Sequence, residues 1–179
     1  MARSGARAAA AVLACAGGAL LLCAAAPPGP AQPIRFSHRV HAGVVGIGCT
    51  SCHAYAERGP VAGIPSMDRC RGCHKFVKED PEHPDLTAEM KPLLDILDAG
   101  TAIEWVRVHR VPDHVFFTHE RHVLGGVRCQ ECHGEVERMD VVSQVAPLTM
   151  GWCLGCHHRK QREKPESRGR LTECVTCHK

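Results

Sequence analysis

Aromatic side chains are scarce in this chain of 179 residues, which contains only 2 Trp, 1 Tyr and 4 Phe. An excess of one charge is also missing, because 22 Lys and Arg face 19 Asp and Glu, and this balance gives no support for nucleic-acid binding. By contrast, the chain has 12 Cys and 13 His. A chain of this length normally fills its core with aliphatic and aromatic side chains, so a metal, a cofactor or a disulfide framework must supply much of the interior.

The N-terminal residues 1–31 have the pattern of an export segment. An uncharged, Ala-rich run over residues 8–26 follows two arginines and is followed by a Pro-rich stretch. A positive start, an apolar stretch and small residues near its end are typical of a secretory signal, and we predict cleavage near Ala25 or Ala31.

Two alternative fates of this segment place the rest of the protein on the same side of the membrane. The uncharged run is long enough to act as an uncleaved membrane anchor, and Cys15 or Cys23 could carry a lipid. In each case residues 32–179 form one exported domain. We therefore predict a periplasmic location, with membrane association through the N-terminal anchor or through partner subunits.

The ten cysteines beyond this segment all belong to five copies of the pattern C-x-x-C-H. Two thiols three positions apart lie on one side of a helical turn and reach both vinyl groups of a haem, and the following His supplies an axial nitrogen to the iron. Zinc sites and disulfide scaffolds do not require a His after every second Cys, and five doublets would leave one unpaired. The pattern predicts five covalent haems c, held by Cys49 and Cys52, Cys70 and Cys73, Cys129 and Cys132, Cys153 and Cys156, and Cys174 and Cys177, with His53, His74, His133, His157 and His178 as proximal ligands.

Two F-x-H-x-x-H segments, 36–41 and 117–122, each precede a haem motif by a short distance. Histidines at positions i and i+3 lie close on one helical face but diverge enough to serve two different irons. In chain order, we predict that the distal ligands of the first four motifs are His38, His41, His119 and His122.

The fifth motif needs a distal ligand from elsewhere in the chain. His109 is our prediction, because it follows an apolar segment that we expect to be buried. The competing donors are His114, His83 and His158, and the sulfur atoms of Met67, Met90, Met139 and Met150.

The same features predict the fold class. Segments 36–74 and 117–157 form an internal repeat of a two-haem unit, and residues 174–178 add the fifth haem. We predict a mainly α-helical multihaem cytochrome c fold with much irregular structure, organised around five covalent haems. Between the repeats, residues 87–99 have helical spacing with Gly100 as a stop, and residues 103–108 are predicted to be extended.

Several stretches resemble one known family. The segments 103–109 (I-E-W-V-R-V-H) and 147–153 (P-L-T-M-G-W-C), together with 111–117, 141–144 and 61–66, are similar to the pentahaem cytochrome c subunit of bacterial alternative complex III, a quinol oxidoreductase within the wider class III multihaem cytochromes. The resemblance implies an electron-transfer subunit. Its partners would be an iron–sulfur/molybdopterin-like protein and polytopic quinol-binding proteins, and its acceptor another cytochrome or an oxidase.

The predicted ligand set favours electron transfer over catalysis. Two His ligands on every iron leave no open position for a substrate, so we expect a non-catalytic electron carrier. A freely diffusing periplasmic shuttle would have the same chemistry. A multihaem reductase would need an open or unusual haem, for example a C-x-x-C-K motif, which this sequence lacks.

We predict that a pyridine haemochrome assay on the purified holoprotein returns five haems per chain, because every motif has both thiols and the proximal His. A value far from five would contradict the assignment of all five motifs to covalent haem.

Overall fold

The computed structural model describes residues 29–79, 84–167 and 169–178, so residues 1–28 of the predicted export segment and His83 lie outside it. Among the described residues the structure is helical and irregular, and its only β-type pairing is an isolated antiparallel bridge between Val115 and His178. The helices are α1 (Cys49–Cys52), α2 (Met67–His74), α3 (Pro84–Ala99), α4 (His119–Leu124), α5 (Gln130–His133), α6 (Met150–Glu163) and α7 (Cys174–Cys177), with a π-helical segment Arg39–Val44 and 3-10 turns Val136–Arg138 and Pro165–Ser167.

The longest helix, α3, begins earlier than the sequence predicts. It starts at Pro84, where the fixed φ of proline suits a first helical turn, and not at residue 87. Pro92 lies inside the helix, although proline is usually tolerated only in a first helical turn. The predicted end is confirmed, because the helix stops at Ala99 and Gly100 adopts a φ of +69°.

Residues 103–108, predicted to be extended, pair with no neighbouring strand in the described part of the chain. The backbone N–H of Trp105 donates to the Ile103 carbonyl within a tight turn. The side-chain amide of Gln32 then accepts from the Val106 N–H and donates to the Val106 carbonyl, both at 2.9 Å. A side chain therefore satisfies the polar groups that a neighbouring strand would otherwise pair.

The apolar core is as thin as the composition predicts. Among the described residues the buried apolar side chains are few, and no side chain is less than 2% exposed. The buried apolar residues are Ile34, Ala56, Leu97, Ile103 and Ala146. Burial of this extent contributes little hydrophobic free energy, so other interactions must hold the fold together.

Both F-x-H-x-x-H segments end in the same type of turn. After α4, Gly126 takes a φ of +80°, and the Val127 N–H donates to the His122 carbonyl at 3.0 Å. After the π-helical segment, Gly46 takes a φ of +77°, and the N–H of the next residue donates to the His41 carbonyl at 3.0 Å. Glycine suits both positions because a left-handed conformation costs it nothing.

The π-helical geometry of the first segment accommodates one additional residue. Seven residues separate His41 from Cys49, whereas six separate His122 from Cys129. The Val45 N–H donates to the Val40 carbonyl five positions earlier, the spacing of a widened helical turn. The helical segment thus contains the extra residue, and the glycine of the turn stands three positions before the first Cys of the motif in both segments.

No helix among the described residues is both long enough and apolar enough to cross a membrane.

Replacing Gly126 by Ala is expected to destabilise the holoprotein by about 1 kcal/mol, because a side chain in the left-handed region clashes with its own backbone. Thermal or denaturant unfolding measures this change. Gly59→Ala is the matched control, since Gly59 has open space where a Cβ would stand and no positive φ. Equal effects of the two substitutions would contradict the role of the left-handed turn.

Candidate functional site

Each C-x-x-C-H motif lies on a single helical turn. The motifs coincide with α1, α5 and α7, end α2 and occupy the first half of α6, and Cys129 is the N-cap of α5. The two thiols of every motif are therefore three positions apart along one helical turn, as the spacing predicts. All ten motif cysteines are free thiols in the structure. They are therefore available to form thioether bonds.

In four of the motifs the final histidine lies opposite a histidine from one of the two F-x-H-x-x-H segments. These are the same four pairings that the sequence predicts. The ring centroids are 6.4 Å apart for His38 and His53, 6.1 Å for His41 and His74, 6.2 Å for His119 and His133, and 6.1 Å for His122 and His157.

These separations suit two imidazoles that bind one metal ion from opposite sides. With a metal–nitrogen distance of about 2.0 Å, two such rings have their centroids about 6 Å apart. The interplanar angles of the pairs are 5° for His38 and His53, 10° for His119 and His133, 27° for His122 and His157, and 51° for His41 and His74. A gap of this size would accommodate one metal ion with a flat macrocycle around it.

Hydrogen bonds to backbone carbonyls orient most of these rings. An Nδ1–H that donates to a carbonyl fixes the tautomer and leaves Nε2 free to bind a metal. The Nδ1–carbonyl contacts, between 2.7 and 3.2 Å, are His41 with Ser37, His53 with Gly63, His74 with Val77, His119 with Pro60, His122 with Thr118 and His157 with Leu171.

A phenylalanine holds the two histidines of each F-x-H-x-x-H segment. The Phe36 ring meets His38 edge-on at 4.9 Å and stacks on His41 at 4.4 Å. Phe117 meets His119 edge-on at 4.8 Å and lies against His122 at 4.7 Å. The same aromatic contacts therefore direct two imidazoles toward two different motifs in both segments.

The structure does not bring His109 to the fifth motif, contrary to the prediction from the sequence. His114 is the imidazole that lies opposite His178, with ring centroids 5.5 Å apart and an interplanar angle of 19°. The Val115–His178 bridge and the hydrogen bond from the Phe116 N–H to the Cys177 carbonyl align the two segments side by side. This backbone pairing favours His114 as the partner of His178.

His109 lies at the third motif instead. Its ring meets His133 edge-on with the centroids 4.3 Å apart, and its Nε2 is buried without a hydrogen-bond partner. The apolar flank of His109 correctly predicted burial but carried no information about which motif it would face. The Pro112-Asp113 pair, which is typical of a turn, was the available signal that the chain bends just before His114.

Burial keeps several of these imidazoles neutral. Desolvation lowers the pKa of His133 to about 4, and the nearby His109 and His119 add to the effect. Desolvation also lowers the pKa of His38 and of His122. The neutral imidazole is the form that binds a metal, so the rings are held in the state that a ligand needs.

The surroundings of the motifs also fit haem. Large apolar side chains that are exposed in the polypeptide lie within a few residues of every motif, and they offer contact surface to a flat, largely apolar macrocycle. They are Val44 and Val45 before the first motif, Phe76 and Val77 after the second, Leu124 before the third, Met150 before the fourth and Val175 within the fifth.

This chain is similar to known cytochromes. The family described as cytochrome c7 and related cytochrome c matches residues 115–179. The multiheme cytochrome c subunit of menaquinone reductase from Nitratidesulfovibrio vulgaris is 41% identical over 171 residues, covering 83% of this chain and 77% of that protein. The identity extends over most of both proteins and is not confined to the motifs.

We predict that His114→Ala converts one haem of the holoprotein to high spin, because the iron at the fifth motif loses its second imidazole. His109→Ala is the matched control and should leave all haems low spin, since His109 lies beside His133 and not opposite it. Electron paramagnetic resonance and absorption spectra distinguish the two. A high-spin signal from the His109 variant, with none from the His114 variant, would restore the original assignment.

Proposed function

This chain belongs to the multihaem cytochrome c family, and from that premise we propose that it holds five covalent haems c and carries electrons without catalysing a reaction of its own. The observation that carries the proposal is the recurrence of opposed imidazoles, which lie 5.5 to 6.4 Å apart at all five motifs. Five C-x-x-C-H turns with five opposed histidines match a haem count of five.

The proposed ligand set follows the pairings in the structure. The thiols of each motif form thioethers with the haem vinyl groups, and the motif histidine binds the iron from one side. The second ligand of each haem comes from a separate segment. In motif order these distal ligands are His38, His41, His119, His122 and His114, the last in place of His109.

The two F-x-H-x-x-H segments support a further part of the proposal. We propose that residues 36–74 and 117–157 form an internal repeat of one two-haem unit. Each unit supplies two distal ligands from one helix and two motifs after it. The edge-on Phe–His distances, 4.9 Å and 4.8 Å, agree closely between the units. Residues 174–178 add a fifth site that lies outside this plan.

Ligation by two histidines determines the chemistry that the sites support. A haem held this way exchanges single electrons between Fe(II) and Fe(III) and offers no open position to a substrate. The protein orients the imidazoles through hydrogen bonds to their Nδ1 atoms, and such contacts tune the reduction potential.

We propose that the protein works as the cytochrome subunit of a membrane quinone oxidoreductase, on its periplasmic side. Two likenesses support this. The Nitratidesulfovibrio vulgaris relative is a subunit of menaquinone reductase, and the sequence also resembles the cytochrome subunit of alternative complex III. The quinone-binding and iron–sulfur/molybdopterin-like subunits would be its partners, and another cytochrome or an oxidase would receive or supply the electrons.

Isolation of the native complex tests the role as a subunit. We expect the protein to co-purify from solubilised membranes with polytopic quinone-binding subunits, and its haems to change redox state when a menaquinol or menaquinone analogue is added. A quinone-site inhibitor is the control and should abolish the spectral change. Recovery of the holoprotein alone in the soluble periplasmic fraction would instead support a free electron shuttle.

A further inference from the structure

The geometry points to a specific spatial order of the redox sites. We propose that the five haem sites form an unbranched row in the order second, first, third, fourth and fifth motif, so that electrons enter and leave at the second and fifth motifs. This inference rests on the proposed five-haem function and adds to it the path and the two points of contact with redox partners.

The second and first sites are neighbours because one helical segment serves both. His38 and His41 lie three positions apart, at the start of and within the π-helical segment Arg39–Val44. His38 lies opposite His53 of the first motif and His41 opposite His74 of the second. Two ligands that lie three positions apart on one helical turn bring their two irons close together.

The first and third sites are joined by the loop that follows the first motif. The Pro60 carbonyl accepts hydrogen bonds from both Nδ1 and the backbone N–H of His119, at 2.9 and 3.3 Å, and the Gly59 carbonyl accepts from the Glu120 N–H at 3.1 Å. His119 is the imidazole opposite the third motif. A ligand of the third site is thus held directly by the first motif's own loop.

A second contact joins the same two sites. The π-helical segment packs against residues 136–138, which follow the third motif, and the Arg39 N–H donates to the Met139 carbonyl at 3.0 Å. The thiol of Cys129 also contacts the Cys49 thiol of the first motif. The turns of the first and third motifs therefore lie side by side.

The third and fourth sites repeat the relation of the first two. His119 and His122 lie three positions apart in α4, opposite His133 and His157 respectively. The thiol of Cys132 also lies near the thiol of Cys156 in the fourth motif. The second two-haem unit is thus joined to the first through its third-motif end.

The fourth and fifth sites are joined by α6. Nδ1 of His157 donates to the Leu171 carbonyl at 2.7 Å, and the Gln161 amide donates to the Thr172 hydroxyl at 3.2 Å. Leu171 and Thr172 lie just before the fifth motif.

Each electron step along this row oxidises one iron from Fe(II) to Fe(III) and reduces the next from Fe(III) to Fe(II), with no bond or proton moved.

The row has two ends, and each end has an exposed apolar side chain. Phe76, directly after the second motif, is 78% exposed, and Val175 within the fifth is 71% exposed. One end would meet a reduced redox protein that gives one electron at a time, and the other an oxidised one that accepts it. The sites of the first, third and fourth motifs act only as relays.

The experiment counts the neighbours of each site in the holoprotein by paramagnetic NMR. Replacing a distal His by Met raises the potential of that haem, so at intermediate potential it is reduced and diamagnetic while its neighbours stay ferric. We expect the haem-methyl signals of one other site to shift in His41→Met and in His114→Met, whose haems lie at the ends. Two other sites should shift in the matched variants His38→Met and His119→Met.

Two or more perturbed sites in either end variant, or a single one in the His119 variant, would overturn the proposed order. Anomalous scattering from iron in crystals of the unmodified holoprotein gives the order independently, should a variant fail to assemble. A third-motif iron that does not lie between those of the first and fourth would equally overturn it. Fewer than five irons per chain would instead contradict the proposed function.

Discussion

The opposed imidazole pair is the interaction on which the rest of this structure depends. Each pair joins a motif to a separate segment that precedes it in the chain, and the five pairs together connect every part of the chain that carries a motif. Because few apolar side chains are buried among the described residues, these pairs and the flat groups they can hold take the place of a conventional core.

Residues 114–122 have the greatest influence on how the sites are arranged. Within nine positions they contain three histidines that lie opposite the third, fourth and fifth motifs. Three kinds of contact hold the segment: a backbone bridge to the fifth motif, hydrogen bonds to the loop of the first motif, and the Phe117 ring. One short stretch of chain therefore fixes the relative positions of three sites, although it contains no cysteine.

The sequence predicted most of the candidate site and less of the fold. The motif spacing and the Phe-His-His pattern correctly predicted which histidines lie together in four pairs, because both patterns are local and depend on one helical turn. The pairing of His114 with His178 could not be predicted, because it depends on a backbone bridge between segments that are far apart in sequence. The predicted start of α3 was wrong because helical periodicity begins only at residue 87, whereas Pro84 already suits a first helical turn. The contact of Gln32 with Val106 could not be predicted either, since these residues are far apart in sequence.

The widened turn at Arg39–Val44 shows where this molecule tolerates a change in length. The two units differ by one residue between the second histidine and the following motif, yet His41 and His122 stand at nearly equal distances from their opposed rings, 6.1 Å in both cases. Where the hydrogen-bond spacing of the helix widens from four to five residues, one extra residue fits without moving the histidine before it or the motif after it. The spacing along the polypeptide and the separation of the opposed imidazoles are thereby uncoupled, so the two segments differ in length while each ring pair keeps the same separation.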